Sequence, residues 1–263
     1  MKHISSRDNP QVKALRRLAQ DKQAYREQGR CWLEGEHLVQ AWQHSGRRAA
    51  LLVLAESLWQ APGAPWTAMA DAADDLLVLA DAVFASVSGL ESPARLALVV
   101  DLPAEPALVP DAPAVVLDRL QDAGNVGAIL RCAAAFGFAQ VLALKGSVAL
   151  WSPKVLRAGM GAHASLHLVE GLTDDDLQAL RVPKLATSSH AGPYLHELQA
   201  QGALPWPCAW LMGHEGQGVS EHLMAQASQK VRIVQPGGQE SLNVATAAAI
   251  CLHASAVSAL ARD

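Results

Sequence analysis

Cysteine is scarce in this chain and none of it is paired in sequence. Four cysteines (Cys31, Cys132, Cys208 and Cys251) are scattered over 263 residues with no CxxC spacing. That excludes a disulfide scaffold and a cysteine-built zinc framework, and it predicts reduced, buried thiols in a cytoplasmic protein. Long hydrophobic runs are missing too. No stretch of about eighteen strongly apolar residues, the length of a membrane span, escapes a polar break; the apolar C-terminal segment itself carries His253 and several serines. No membrane span is expected. The N-terminal MKHISSRDNPQVKALRRLAQ lacks the apolar centre of a secretory leader. Three enzyme signatures are absent: GxxxxGK[ST], a GxGxxG between strand and helix with a distal acid, and the GxSxG elbow. Neither the phosphate-loop nor the dinucleotide-binding fingerprint is satisfied, and the missing elbow argues against a Ser-His-Asp hydrolase. His163 and His167 stand four apart, but Gly161 and the strand-like 166–169 break any helix there, and no carboxylate is close by. No metal site is expected.

What is present is an apolar chain with an uneven charge. Hydrophobic residues make up 51%, enough for a sizeable core in one large or two modest domains. The net charge of -4 argues against a bulk nucleic-acid binder. Residues 1–50, however, carry ten Lys/Arg against five Asp/Glu, while the remaining 213 carry eleven against twenty. A basic segment on an acidic body predicts a local polyanion contact, and a solvated helix face is the alternative.

Residues 8–28 read as a helix, with Asp8 or Asn9 as cap, Pro10 in the first turn and Val12, Leu15, Leu18 and Ala19 as the apolar stripe. Lys13, Arg16 and Arg17 lie off that stripe and are the candidate cations for the polyanion contact. CWLEGEHLVQAW suggests a strand, a turn at Gly35 and a helix. Further strands are expected at 49–55, 76–79 and 96–100, with a short helix at 81–88. The four prolines of 101–114 read as a linker. Beyond it strands are expected at 114–118, 140–144, 166–169, 184–187, 208–212 and 231–234. Helices alternate with them at 126–136, 153–157 (capped by Ser152) and 220–226, and a final helix opens near Pro236. Such alternation implies a mostly parallel sheet covered on both faces, with ligands at the carboxyl ends of its strands.

Three glycine-rich turns sit at such ends. The first holds Asp122, Gly124, Asn125 and Gly127, with Arg131 one helical turn further along. The second, 213–220, has three glycines around Glu215. The third, at the mouth of the Ala-rich final helix, holds Gly237, Gly238, Glu240, Ser241 and Asn243. Each has a plain structural alternative: a strand-to-helix turn, an open loop, and a helix cap by Glu240 or Ser241.

Taken together, DAGNVGAILRCAAAFG, LMGHEGQGVS and VRIVQPGGQESLNVATAAAI resemble the three successive motifs of the SpoU/TrmH family of RNA ribose methyltransferases (SPOUT superfamily). SPKVLRAGMGA resembles the segment between the first two. ISSRDNPQVKALRRL with CWLEGEHLVQAW is similar to the substrate-binding domain often fused ahead of the catalytic one. The resemblance implies an α/β fold: a small RNA-binding domain at 1–100, a linker at 101–113, and at 114–263 a methyltransferase domain whose mostly parallel sheet carries a deep trefoil knot. It implies S-adenosyl-L-methionine as cofactor, held by Thr187 or Ser188, Leu211, Gly213, Ile233 and Leu242. It further implies a homodimer that acts on RNA, with Arg131, Asn125, Glu215, Ser241 and Asn243 as the catalytic set. Ribosomal RNA is the expected substrate; transfer RNA and a non-catalytic assembly role are the alternatives. Three positions depart from the family pattern. Ala123 stands where Pro is common, Gly159 where Ser is common, and Val234 where Pro usually follows Ile. All three leave the polar set intact.

Overall fold

The computed structural model describes residues 1–61, 69–70, 72–104, 106–237 and 241–262. Gly238 and Glu240, two of the residues singled out in the third turn, lie outside them. The chain divides into two compact units, Met1–Glu105 with Trp151–Ala164, and Pro106–Leu150 with Ser165–Asp263.

The first unit is built on a five-stranded mixed sheet in the order β1-β4-β3-β5-β2. Its strands are β1 (Lys2–Ile4), β2 (Arg30–Glu34), β3 (Leu51–Ala55), β4 (Leu76–Leu79) and β5 (Leu96–Asp101). The helix expected over 8–28 is in fact two, α1 (Pro10–Gln20) and α2 (Ala24–Gln28). Asn9 caps the first, its side chain accepting from the Gln11 N–H at 2.9 Å. Asp21 ends it. Its backbone is extended and its carboxylate takes the Gln23 N–H at 2.9 Å, a local bond that competes with helix continuation. The stripe Val12, Leu15, Leu18 and Ala19 is buried and joins Trp32 and Phe84 in the core. Among the described residues α3 (Glu36–His44), α4 (Glu56–Trp59) and α5 (Asp81–Val87) follow.

The second unit carries a six-stranded sheet in the order β11-β9-β10-β6-β7-β8, every neighbouring pair parallel. The strands are β6 (Ala114–Leu117), β7 (Gln140–Leu144), β8 (His167–Leu172), β9 (Lys184–Thr187), β10 (Ala209–Met212) and β11 (Gln229–Val231). β6 and β10 are buried throughout, as central parallel strands must be. The proline-rich 101–113 stretch is stitched down at Val109, whose N–H and C=O bond the buried Gln140 side chain at 2.9 and 2.7 Å.

Several expected boundaries shift. α6 runs Ala123–Ala135, starting three residues early, because the Asp122 carboxylate accepts the Asn125 N–H at 2.7 Å and caps the helix there. Gly124 and Asn125 therefore belong to its first turn. α7 (Pro153–Gly159), in the first unit, has Ser152 at its cap position, but the hydroxyl makes no capping bond. β11 ends at Val231 rather than reaching 234, since Arg232 leaves the ladder to bridge Tyr194. Then come α8 (Leu195–Ala200), α9 (Glu221–Gln226) and, only from Val244, α10 (Val244–Leu260). α10 has Ala248, Cys251, Leu252 and Ala254 buried, and its buried Ser255 hydroxyl takes the Trp210 indole N–H at 2.9 Å. His163 lies in a 3₁₀ turn and His167 opens β8, so the pair shares no helix. Among the described residues no cluster of His, Cys, Asp or Glu is placed to hold a metal, and no helix is long and apolar enough to cross a membrane.

Candidate active site

The carboxyl ends of β6 and β10 are adjacent, and each feeds one glycine-rich turn. After β10 the chain doubles back on itself at Gly213. A Cβ there would stand 2.0 Å from the backbone of Gly218 and Val219, so only glycine lets the loop close. The closed loop presents Glu215 to the start of α6. Its carboxylate accepts the backbone N–H of Asp122 at 3.1 Å, that of Gln121 at 3.3 Å, and the side-chain amide of Asn125 at 3.3 Å. Helix starts favour anions, and these are donors the helix cannot satisfy itself. Burial works to raise the Glu215 pKa. The hydrogen bonds from its own N–H, Asp122, Gln121 and Asn125 outweigh it and hold the carboxyl below its ordinary value. Glu215 is thus an ionised brace with its acceptors engaged.

Asn125 passes the network on. Its side-chain oxygen accepts from the Asn243 amide at 2.9 Å. Asn243 in turn caps α10, its oxygen taking the Ala245 and Thr246 N–H groups at 2.9 and 3.2 Å. The cap of the final helix is therefore Asn243, not Ser241. The three turns are tied together in a line from Glu215 through Asn125 to Asn243. Ser241 is exposed two residues before Asn243 and stands outside the hydrogen-bonded line. Arg131 is also outside it. Six residues beyond Asn125, it sits about 9 Å along α6 and about 120° around it. It is exposed and forms no ion pair among the described residues.

Four of the six residues expected to hold a cofactor gather at the carboxyl ends of β9 and β10. Leu211 is buried in β10, and Gly213 follows that strand. Thr187 ends β9 with its hydroxyl donating to the Leu211 carbonyl at 3.3 Å. Ser188 donates its N–H to Val231 of neighbouring β11 at 2.9 Å, and its hydroxyl oxygen takes the N–H groups of His190 and Ala191. Ile233 is half-buried just past β11, and Leu242 is half-buried beside Asn243.

Two contributors were not legible as site residues. Gln235, in the turn after Ile233, has a buried side-chain oxygen with no partner among the described residues. Arg232 donates to the Gly192 carbonyl at 2.7 Å and lies 4.0 Å over the Tyr194 ring, clamping the segment after β9 to β11. A polar residue directly after the strand expected at 231–234 and before a Gly-Gly pair in the sequence was the available signal for Gln235.

The N-terminal cations are largely engaged. Arg16 ties α1 to α5 through the Ser86 carbonyl and hydroxyl, both at 2.9 Å. Arg17 pairs with Glu27 at 2.5 Å, and Lys13 with Asp8 at 3.4 Å. The last two pairs are exposed, where an ion pair contributes little and a polyanion competes readily.

Residues 112–253 match the SpoU rRNA methylase family model, and residues 9–97 match an MRM3-like substrate binding domain. The chain is 29% identical over 257 residues to the 23S rRNA (guanosine(2553)-2′-O)-methyltransferase RlmP of Bacillus subtilis, covering 96% of this chain and 98% of that one. It is 32% identical to an uncharacterised tRNA/rRNA methyltransferase of Synechocystis, covering 95% and 92%. Among solved structures, the AdoMet-bound rRNA methyltransferase of Sinorhizobium meliloti is 26% identical with a TM-score of 0.79, covering 97% of each chain. An RNA 2′-O ribose methyltransferase is 29% identical with a TM-score of 0.76, covering 98% of this chain and 100% of that one. Three turns joined by Glu215, Asn125 and Asn243 at the strand ends, with the family match over more than half its length, make this chain a member of the SpoU rRNA methylase family.

Proposed function

We propose that this chain transfers a methyl group from S-adenosyl-L-methionine to a ribose 2′-hydroxyl of ribosomal RNA. The observation that carries the reading is the Glu215–Asn125–Asn243 line at the sheet's carboxyl edge, with an exposed Arg131 on the Asn125 helix that forms no ion pair among the described residues. The residues present suit the cofactor. Thr187, Ser188, Leu211, Gly213, Ile233 and Leu242 offer apolar side chains and backbone groups, and Gln235 offers a buried acceptor oxygen without a partner among the described residues. When bound, the cofactor supplies an electrophilic methyl on a sulfonium.

The chain's own part is alignment and charge. Glu215 fixes the start of α6, and through it the Asn125 side chain. Asn125 and Asn243 set the edge against which the ribose lies. Ser241, exposed beside them, offers a hydroxyl to the sugar. Arg131 stays protonated, since a guanidinium has a pKa of about 12.5–13.8. Its role is to anchor an RNA phosphate and stabilise charge developing on the attacking oxygen.

Ribosomal RNA is favoured over transfer RNA by the substrate-binding match at residues 9–97, the unit that also carries Lys13, Arg16 and Arg17. We infer a homodimer from α10. Ile250, Val257 and Leu260 are 38%, 44% and 76% exposed along one stripe of that helix, and a second copy of the same stripe covers them. The four free thiols, three of them buried, suit the cytoplasm. The test is calorimetry with S-adenosyl-L-methionine, followed by transfer of a labelled methyl to ribosomal RNA by wild type and Arg131→Ala. The variant keeps cofactor affinity and loses transfer. A wild type that binds no cofactor, or a fully active variant, overturns the assignment.

A further inference from the structure

Beyond the braced edge the same sheet carries a cavity of about 430 Å³, over the carboxyl ends of β6, β7 and β8. Its lining is chemically mixed. Arg119 and Lys145 supply cations, Asp174 and Asp175 carboxylates, Leu144 and Leu172 apolar surface, and Thr173 and His222 complete the lining; Asp174 is close enough to Arg119 to favour its charged form. The strand order centres the cavity on β7, two strands from β10, and His222 of α9 reaches it from the side where the cofactor residues gather. With strands about 4.8 Å apart, its middle lies roughly 10 Å from the end of β10, within reach of a nucleotide flanking the one modified.

The cationic wall is built rather than incidental. Asp118, 1% exposed, accepts from Arg119 Nε at 2.7 Å and from Nη2 at 3.3 Å, and also takes the Ser220 N–H at 2.7 Å. That grip orients the guanidinium. Arg119 is held with φ at +59°, a left-handed conformation costly for a residue with a Cβ, and it packs over Gly146. Lys145 forms no ion pair among the described residues. Of the neighbouring carboxylates Asp176 is spent on Thr173, whereas that of Asp174 makes no hydrogen bond among the described residues and meets Arg119 only through its charge.

A carboxylate accepts only. Of the four RNA bases, guanine alone presents two adjacent N–H donors on its Watson–Crick edge, matched to the two oxygens of one carboxylate. Adenine and cytosine place a ring acceptor beside the amino group, and uracil flanks its N–H with carbonyls. We propose that this cavity is a subsite for an unstacked guanosine of the RNA substrate, its phosphate on Arg119 and Lys145 and its base edge on Asp174. The reading rests on the methyltransferase assignment above and extends it to a nucleotide beside the target. Unstacked bases read on their edges are the usual currency of sequence-specific RNA recognition.

The experiment titrates the full chain with the 5′-monophosphates of guanosine, adenosine, cytidine and uridine, following amide resonances of residues 144–146 and 172–175. Guanosine monophosphate shifts these amides and binds about tenfold more tightly than the others, the worth of one hydrogen bond to a charged group. Asp174→Asn abolishes the preference, and Lys145→Ala weakens all four alike. In methyl transfer, both variants raise KM for ribosomal RNA about tenfold at wild-type affinity for S-adenosyl-L-methionine. Equal binding of the four nucleotides, or no shift at these amides, refutes the subsite. An unchanged KM in variants that no longer bind guanosine monophosphate refutes its use for RNA. Failure of the wild type to bind S-adenosyl-L-methionine strikes the methyltransferase reading instead.

Discussion

Asn243 performs two tasks with two different atoms, so two substitutions separate them. Its oxygen caps α10, and its amide nitrogen holds Asn125. Asn243→Ala removes both. Loss of an Asn cap costs about 1 kcal/mol, and loss of an exposed side-chain hydrogen bond adds about 0.5 kcal/mol. For a chain of this size that total lowers Tm by roughly 3–6 °C. Asn243→Asp keeps an acceptor at the helix start, where an anion gains about 0.3–1 kcal/mol; repulsion from nearby Glu215 offsets that gain. Its Tm is expected within about 2 °C of wild type. The Asp side chain cannot donate, however, and it sets two acceptors face to face at Asn125. The assays are thermal unfolding and the rate of labelled methyl transfer to ribosomal RNA. The Asp variant should unfold like wild type yet transfer methyl at least about tenfold more slowly, equivalent to 1.4 kcal/mol on the barrier. An Asp variant with wild-type activity would refute the view that the Asn125–Asn243 bond organises the site.

Ile250→Asp places a charge in the exposed stripe of α10 and should convert the proposed dimer to a monomer in light scattering without lowering helix content; a wild type that is monomeric, or an unchanged mass in the variant, refutes that interface. Burial pushes the Cys208 thiol up to about 12 and those of Cys31 and Cys251 higher still, so at pH 8 an aromatic disulfide reagent should label at most Cys132 before denaturation and all four afterwards. Rapid labelling of two or more thiols in the native protein would contradict their burial. Because the Glu215 pKa is depressed by folding, its contribution is complete above the ordinary carboxylate range and is lost as pH falls through the folded value. Hydrogen-exchange protection of residues 213–220 should therefore hold from neutrality down to about pH 5 and then fall. Glu215→Gln should flatten that dependence, and a profile identical to wild type would show the carboxylate is not the brace.

The local half of this fold is legible in the residues. Alternating apolar runs and glycine-rich turns mark β6, β7, β9 and β10 closely, because a buried parallel strand must be apolar throughout. The Val12–Leu15–Leu18–Ala19 stripe likewise marks the buried face of α1. Breaks and caps are harder to read. Asp21 interrupting a helix and Asp122 starting one are the same residue type, and only their backbone neighbours decide the difference. Charge is the most deceptive feature. Arg16 lies off the apolar stripe, as a nucleic-acid contact would, yet its guanidinium is taken by Ser86, seventy positions away. Conversely, Arg119 sits in an unremarkable stretch of sequence and becomes the oriented wall of a cavity through Asp118.

The third turn shows why spacing alone leaves capping and chemistry as alternatives. A cap needs an acceptor oxygen facing the first free N–H groups of a helix. A site needs a side chain fixed toward neighbouring turns. Ser, Asp and Asn all satisfy the first demand, and sequence reading cannot choose among them. The bond between Asn243 and Asn125 spans 118 positions and demands a donor on the same side chain that supplies the cap. Serine is too short to hold the two groups apart, and aspartate has no donor. Only the amide presents an oxygen to α10 and a nitrogen to α6 at once. The choice of asparagine at 243 is therefore explained by neither role alone, but by the requirement that one planar group serve both.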